Sequence, residues 1–128
     1  MTDWKWLNPA TAEAIHDQQL AEHGGGGGTR DRGALLLALA RPQNAVAYGE
    51  PDAADLAAAY AFGVAKNHSF IDGNKRTAWV LARLFLAKNG RSLRYENGDA
   101  IKTILALASG ALTEAELASW FRERISGG

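Results

Sequence analysis

Residues 68–76 read HSFIDGNKR, and they interrupt two long apolar runs, AAAYAFGVAKN (57–67) before them and TAWVLARLFLAKNG (77–90) after them. Both flanks space their apolar side chains at helical intervals, and neither alternates as a strand would. The reading is two packed helices joined by nine residues. Those nine carry an imidazole, a carboxylate, an amide, a glycine and two cations. Any polar turn could join two helices; this one also supplies groups that move protons and hold anions.

The rest of the chain reads as helix after helix. The first starts at NPATAEAIHDQQLAEH (8–23), where Asn8 can cap, Pro9 suits the first helical position and Gly24 ends the run. A second covers roughly Asp31 to Ala40 and is expected to stop before Pro42, because a residue preceding proline is pushed out of the helical region. That leaves RPQNAVAYGEP (41–51) as a Pro/Gly-bounded loop. The third helix opens at Asp52, whose carboxylate can accept from the first free amides. It is so rich in Ala, Leu, Phe and Val that it should be central and buried. The fourth runs from about Asn74 to Lys88, with Gly90 able to take a left-handed cap. A fifth covers about Gly98 to Ala108. The sixth opens with the capping box of Thr113 and Glu116 and continues to about Ile125. The expected fold is all-α, one compact bundle of about six helices forming a single domain over residues 1–128.

Fourteen Lys and Arg balance fourteen Asp and Glu, so no bulk field draws the chain to nucleic acid or an anionic membrane. Without cysteine there can be no disulfide, thiolate metal site or thiol nucleophile. No apolar run approaches the ~20 residues that span a bilayer, and MTDWKW lacks a leader's apolar segment. A cytoplasmic protein is the expectation. The run Gly24–Gly28 reads as a floppy loop, since a phosphate-binding P-loop would need GK[ST] and a preceding strand.

The helix that begins near Asn74 has an unusual first turn. Its opening amides are unpaired and its dipole places roughly half a positive charge there. Acidic residues usually occupy such a turn, yet Lys75 and Arg76 occupy this one. Free amides, a glycine that admits close backbone approach and two cations together describe a phosphate site. Asp72, just before the turn, is placed to ligate Mg²⁺ beside phosphates; without a metal it would pair with Lys75 or Arg76. Asn74 can cap the helix or bond a phosphate oxygen. His68 ends the preceding helix with a group able to take a proton near neutral pH. Phe70 should point into the core and anchor the loop. Singly, each has an ordinary explanation: a cap, a turn, a solvated cation. Jointly they read as a site.

HSFIDGNKRTA (68–78) resembles the Fic/Doc family motif, His-x-Phe-x-(Asp/Glu)-(Gly/Ala)-Asn-(Gly/Lys)-Arg, and more narrowly the Doc ("death on curing") branch of toxins. HDQQLAEHGGGGGTRDRGALLLALARPQN (16–44), LFLAKNG (84–90) and ELASWFRERI (116–125) extend the resemblance over nearly the whole chain. It implies that His68 is the general base, that Asp72 binds Mg²⁺, and that Gly73 with Asn74 forms the anion-binding turn. Lys75 and Arg76 would hold the phosphates of ATP, with Phe70 structural.

AMP-transferring members carry a small residue where this chain has Lys75 and a second Arg where it has Trp79. By resemblance to Doc-type toxins, which share both changes, ATP would lie reversed and give up its γ-phosphate to a protein hydroxyl. The implied target is translation elongation factor Tu, and the implied effect an arrest of translation. AMP transfer and a non-catalytic nucleotide-binding module are the alternatives. No [ST]xxxE[GN] self-inhibitory helix of the Fic type is expected, so an external antitoxin whose C-terminal segment folds onto the toxin is implied. Residues 41–51 fall where the family has its target-docking flap. Leu36 departs from relatives that often carry an acid there.

Overall fold

The computed structural model describes residues 3–126, so the first two residues of the leader reading and Gly127–Gly128 lie outside the described residues. Six helices run in chain order: α1 (Pro9–His23), α2 (Arg32–Tyr48), α3 (Ala53–Asn67), α4 (Asn74–Lys88), α5 (Asn97–Ser109) and α6 (Glu114–Arg124). The fold is all-α. Two short strands, β1 (Ser92–Leu93) and β2 (Ile125–Ser126), pair antiparallel with Leu93 opposite Ile125. They had no sequence signature, because two residues are too few to alternate.

The capping chemistry explains most helix starts. Asn8 accepts from Thr11 N at 2.8 Å with Pro9 inside the first turn. Asp31 accepts from Ala34 N at 3.0 Å, and Thr113 and Glu116 close the expected box. Asp52 accepts from Asp55 N at 2.9 Å while Asp55 takes the amide of Asp52, so α3 carries a capping box as well. Each such cap contributes ~1 kcal/mol. Gly90 takes the left-handed conformation beyond α4, as its sequence position required.

Helix α3 is the hub. Eleven of its fifteen residues are buried, which only a helix covered on nearly every side can show. It packs against α2, α4 and α6. Alanines let those neighbours approach closely, and Gly63 marks the tightest point: a Cβ there would stand 3.1 Å from both Cα and Cβ of Ala38. Tyr60, fully buried at the centre, accepts from Leu7 N at 3.0 Å and packs against Phe85. Trp4 and Trp6 lie over the same Phe85 ring.

Helix α2 corrects the sequence reading. It continues through Pro42 to Tyr48, so most of residues 41–51 is helical and only the stretch from Gly49 to Asp52 connects it to α3. Proline inside a helix removes one backbone bond and costs about 3 kcal/mol in isolation. Here Pro42 is itself buried, and the packing of α2 along α3 outweighs the local rule.

Candidate active site

The loop of residues 68–76 is shaped at both ends by left-handed residues. His68 caps α3 at φ 51°, ψ 45°, the sole non-glycine at positive φ among the described residues. Gly73 opens α4 at φ 77°. Such a conformation costs an L-residue roughly 1–2 kcal/mol, so α3 is ended by a histidine where a glycine would fit more easily. The His68 side chain lies at the exposed surface.

Between these two bends the chain dips inward. Phe70 is 1% exposed, and the Asn74 side chain grips its backbone twice: Oδ1 accepts from Phe70 N at 3.1 Å, and Nδ2 donates to Phe70 O at 3.0 Å. Both ends of the amide are thereby used. Asn74 does not cap α4; it is the clasp of the turn.

Beyond the clasp the groups face outward. Asp72 is exposed, and its Oδ1 accepts from Gly73 N at 2.7 Å. No side chain caps α4, and the first helical bond runs from Thr77 N to Gly73 O. The amides of Asn74, Lys75 and Arg76 therefore have no partner among the described residues. Arg76 folds back over the turn, with Nη2 donating to Gly24 O at 3.2 Å and lying 3.8 Å from where a Gly73 Cβ would be. Lys75 points elsewhere, lining a cleft of about 490 Å³ with Leu105 and Ser109 of α5. Consecutive helical residues project ~100° apart, so the two cations flank the turn instead of converging on one point. Neither pairs with Asp72 among the described residues.

Two contributors escaped the sequence reading. His16 of α1 is 1% exposed, stacks on Phe70 with centroids 3.8 Å apart and planes at 7°, and reaches Asp72 O with Nε2 at 2.7 Å. Its signal was faint: it shares a helical face with Ala12 and Leu20, an inward position for a polar ring. The glycine run is the second. Ile71 N donates to Gly28 O at 3.3 Å, Thr29 bridges Phe70, and Arg30 N and Asp31 N both donate to Ser69 O, at 2.8 and 3.0 Å. Gly24 and residues 28–31 are tied to the loop, so both ends of the run Gly24–Gly28, expected to be floppy, are held. A Cβ on Gly25 would stand 2.7 Å from Asp72 Oδ2; glycine is needed for that approach.

Trp79, one turn into α4, belongs to an aromatic cluster. Its ring stacks on Phe121 at 6.0 Å and meets Tyr95 and Trp120 edge-on at 5.1 and 5.8 Å. It is a packing residue.

A sequence profile of the Fic/DOC family matches residues 6–86, a span that holds α1 to α3 and nearly all of α4. The chain belongs to the Fic/Doc family. It is 32% identical over 117 residues to the protein kinase doc of Escherichia phage P1, a match that covers 91% of this chain and 92% of that protein. It is 51% identical over 67 residues to the toxin Doc of Mycolicibacterium smegmatis, covering 50% of this chain and 51% of that one. The matched span includes the clasped loop at 68–76.

No group of three or more His, Asp or Glu gathers among the described residues. An all-protein cage is thus not on offer. Mg²⁺ bound with phosphates needs only one or two carboxylates, the remaining ligands being water and phosphate oxygen. Asp72, exposed and with Oδ2 not engaged by any described donor, fits that demand.

Proposed function

We propose that this chain is the toxin of a toxin–antitoxin module, transferring the γ-phosphate of ATP to a hydroxyl of a translation factor, with elongation factor Tu the expected target. One observation carries the reading: α4 opens on a left-handed glycine with three unpaired amides, Asp72 before them and Arg76 folded over them. Such a turn favours anionic ligands by both its dipole and its free donors. The names of the two relatives, a protein kinase and a toxin, agree with it.

In the proposed step the target oxygen attacks the γ-phosphorus and the hydroxyl proton passes to the imidazole of His68. The bond from the γ-phosphorus to the bridging oxygen breaks, and ADP leaves with that electron pair. The amides of residues 74–76 and the Arg76 guanidinium hold phosphate oxygens; Lys75 reaches the phosphate tail from the α5 side. Asp72 would hold Mg²⁺, which supplies neutralisation of phosphate charge. Asn74 and Phe70 keep the loop in shape, since a displacement of ~1 Å can cost about a hundredfold in rate. Trp79, committed to its aromatic cluster, leaves no second cation for a nucleotide in the AMP-transferring orientation. An antitoxin, through its C-terminal segment, would restrain the enzyme, and the setting would be the cytoplasm.

The deciding experiment incubates the purified protein with Mg²⁺ and elongation factor Tu, supplying ATP labelled separately on its α- and γ-phosphates. The γ-label should appear on the target and the α-label should not. Transfer of the α-label would establish AMP transfer instead. Transfer of neither, with growth arrest persisting in His68→Ala, would leave a binding module.

A further inference from the structure

We infer that His16 is a positioning residue of the transfer reaction, fixing through Asp72 and Phe70 the peptide plane on which the phosphate turn is built. The inference rests on the transfer proposed above, and it concerns a residue outside the motif, on a different helix.

A ring that is 1% exposed loses its water and needs a partner inside the protein. Its neighbour at 2.7 Å is the carbonyl oxygen of Asp72, and a carbonyl can only accept. Nε2 therefore carries the proton. No other described donor reaches that oxygen. The same ring lies flat on Phe70, so one side chain of α1 holds the loop at two residues.

The consequence follows from peptide geometry. The carbonyl of Asp72 and the amide of Gly73 share one rigid plane and point in opposite directions. His16 fixes the first. The second donates to Asp72 Oδ1 at 2.7 Å. Turning that plane would therefore swing the carboxylate and re-aim the entry to α4 together. Glycine at 73 leaves the plane free to turn, and the ring removes the freedom: Cδ2 and Nε2 of His16 lie 3.7 Å from the site of a Gly73 Cβ. A residue that merely filled space would need neither the donor nor this alignment.

Two substitutions in the full chain separate the roles. His16→Phe keeps a flat ring against Phe70 and removes the donor; His16→Gln places an amide donor at a similar reach and removes the ring. Amide hydrogen exchange at Gly73 should speed up by roughly tenfold in His16→Phe, the value of one lost hydrogen bond, while α3 is unchanged. In the γ-phosphate assay His16→Phe should lower kcat by roughly a hundredfold, with KM for ATP altered by less than about threefold. His16→Gln should recover a large share of kcat. In the unaltered protein, nitrogen NMR of the imidazole should show the proton on Nε2.

A neutral ring protonated on Nδ1 alone would overturn the proposal, as would His16→Phe with unchanged exchange and kcat. So would equal losses in both variants that track their melting temperatures. The exchange and tautomer measurements need no activity. If the unaltered protein transfers no phosphate, they still judge His16, and the two failures stay distinct.

Discussion

Gly25 and Asp72 meet across the site with no room for a methyl group between them: a Cβ on Gly25 would stand 2.7 Å from Oδ2. Gly25 also sits at φ 124°, a conformation closed to other residues. Gly25→Ala is therefore expected to cost about 1–3 kcal/mol in a denaturant titration and to reduce γ-phosphate transfer by displacing the carboxylate. Gly27→Ala is the control. With Leu20 Cδ1 3.9 Å from where its Cβ would stand and no positive φ, it should gain about 0.4–1 kcal/mol through a stiffer unfolded chain. Equal effects of the two substitutions would show that the run acts only as a spacer.

His68 sets stability against chemistry. Its left-handed backbone is one that glycine adopts freely, so His68→Gly should raise stability by about 1 kcal/mol while abolishing transfer. A variant that retains transfer would remove His68 from the role of base, and one that loses stability would contradict the cost assigned to its backbone.

Asn74 and Arg76, two residues apart, should fail in different ways. Asn74→Ala leaves the inward-turned amide of Phe70 without its partner, and should cost about 1–3 kcal/mol of stability. Arg76→Ala removes one contact to an exposed carbonyl and should leave the melting temperature of the free protein nearly unchanged. What it should diminish is the upward thermal shift produced by millimolar ATP with Mg²⁺, since native-state ligands stabilise in proportion to RT ln(1 + [L]/Kd). An undiminished shift in Arg76→Ala would exclude it from the phosphate site.

At the opposite end of α3, Arg122 of α6 bonds Asp52 through Nε at 2.8 Å and Asp55 through Nη2 at 2.9 Å. The Arg122 guanidinium is the main cause that lowers Asp52 from 3.8 to about 2. A folded-state value below the unfolded one stabilises above the unfolded pKa and is lost as pH falls through the folded one. The Asp52–Arg122 pair should thus contribute fully above about pH 5, weaken as pH falls below the unfolded value and be lost as it falls through about 2. Because both side chains are about half exposed, a double-mutant cycle with Asp52→Ala and Arg122→Ala should give no more than ~1 kcal/mol at neutral pH. A coupling unchanged at pH 2 would contradict the assignment.

Helix α4 was bounded correctly at Asn74 and Lys88 because its first turn broke a rule and its last was followed by Asn-Gly. The caps at Asn8, Asp52 and Thr113 were legible because a short polar side chain at a helix start has few other uses. Pro42 misled: its local preference is real, but burial along α3 outweighed it, and burial is not local. The role of His16 was hidden because its partner lies 56 residues further on. Asn74 could be assigned to the turn, but which acceptor and donor it would choose depended on where Phe70 put its backbone.

The lacing of residues 28–31 to residues 69–71 bears on the order in which the protein becomes itself during synthesis. Three of those ties are between backbone groups, and they join stretches that leave the ribosome some forty residues apart. A nascent chain halted before residue 69 can wind its first helices but lacks the partners that residues 28–31 bond in the finished loop. By the same logic, a single cut within the glycines could spare the bundle while silencing the chemistry.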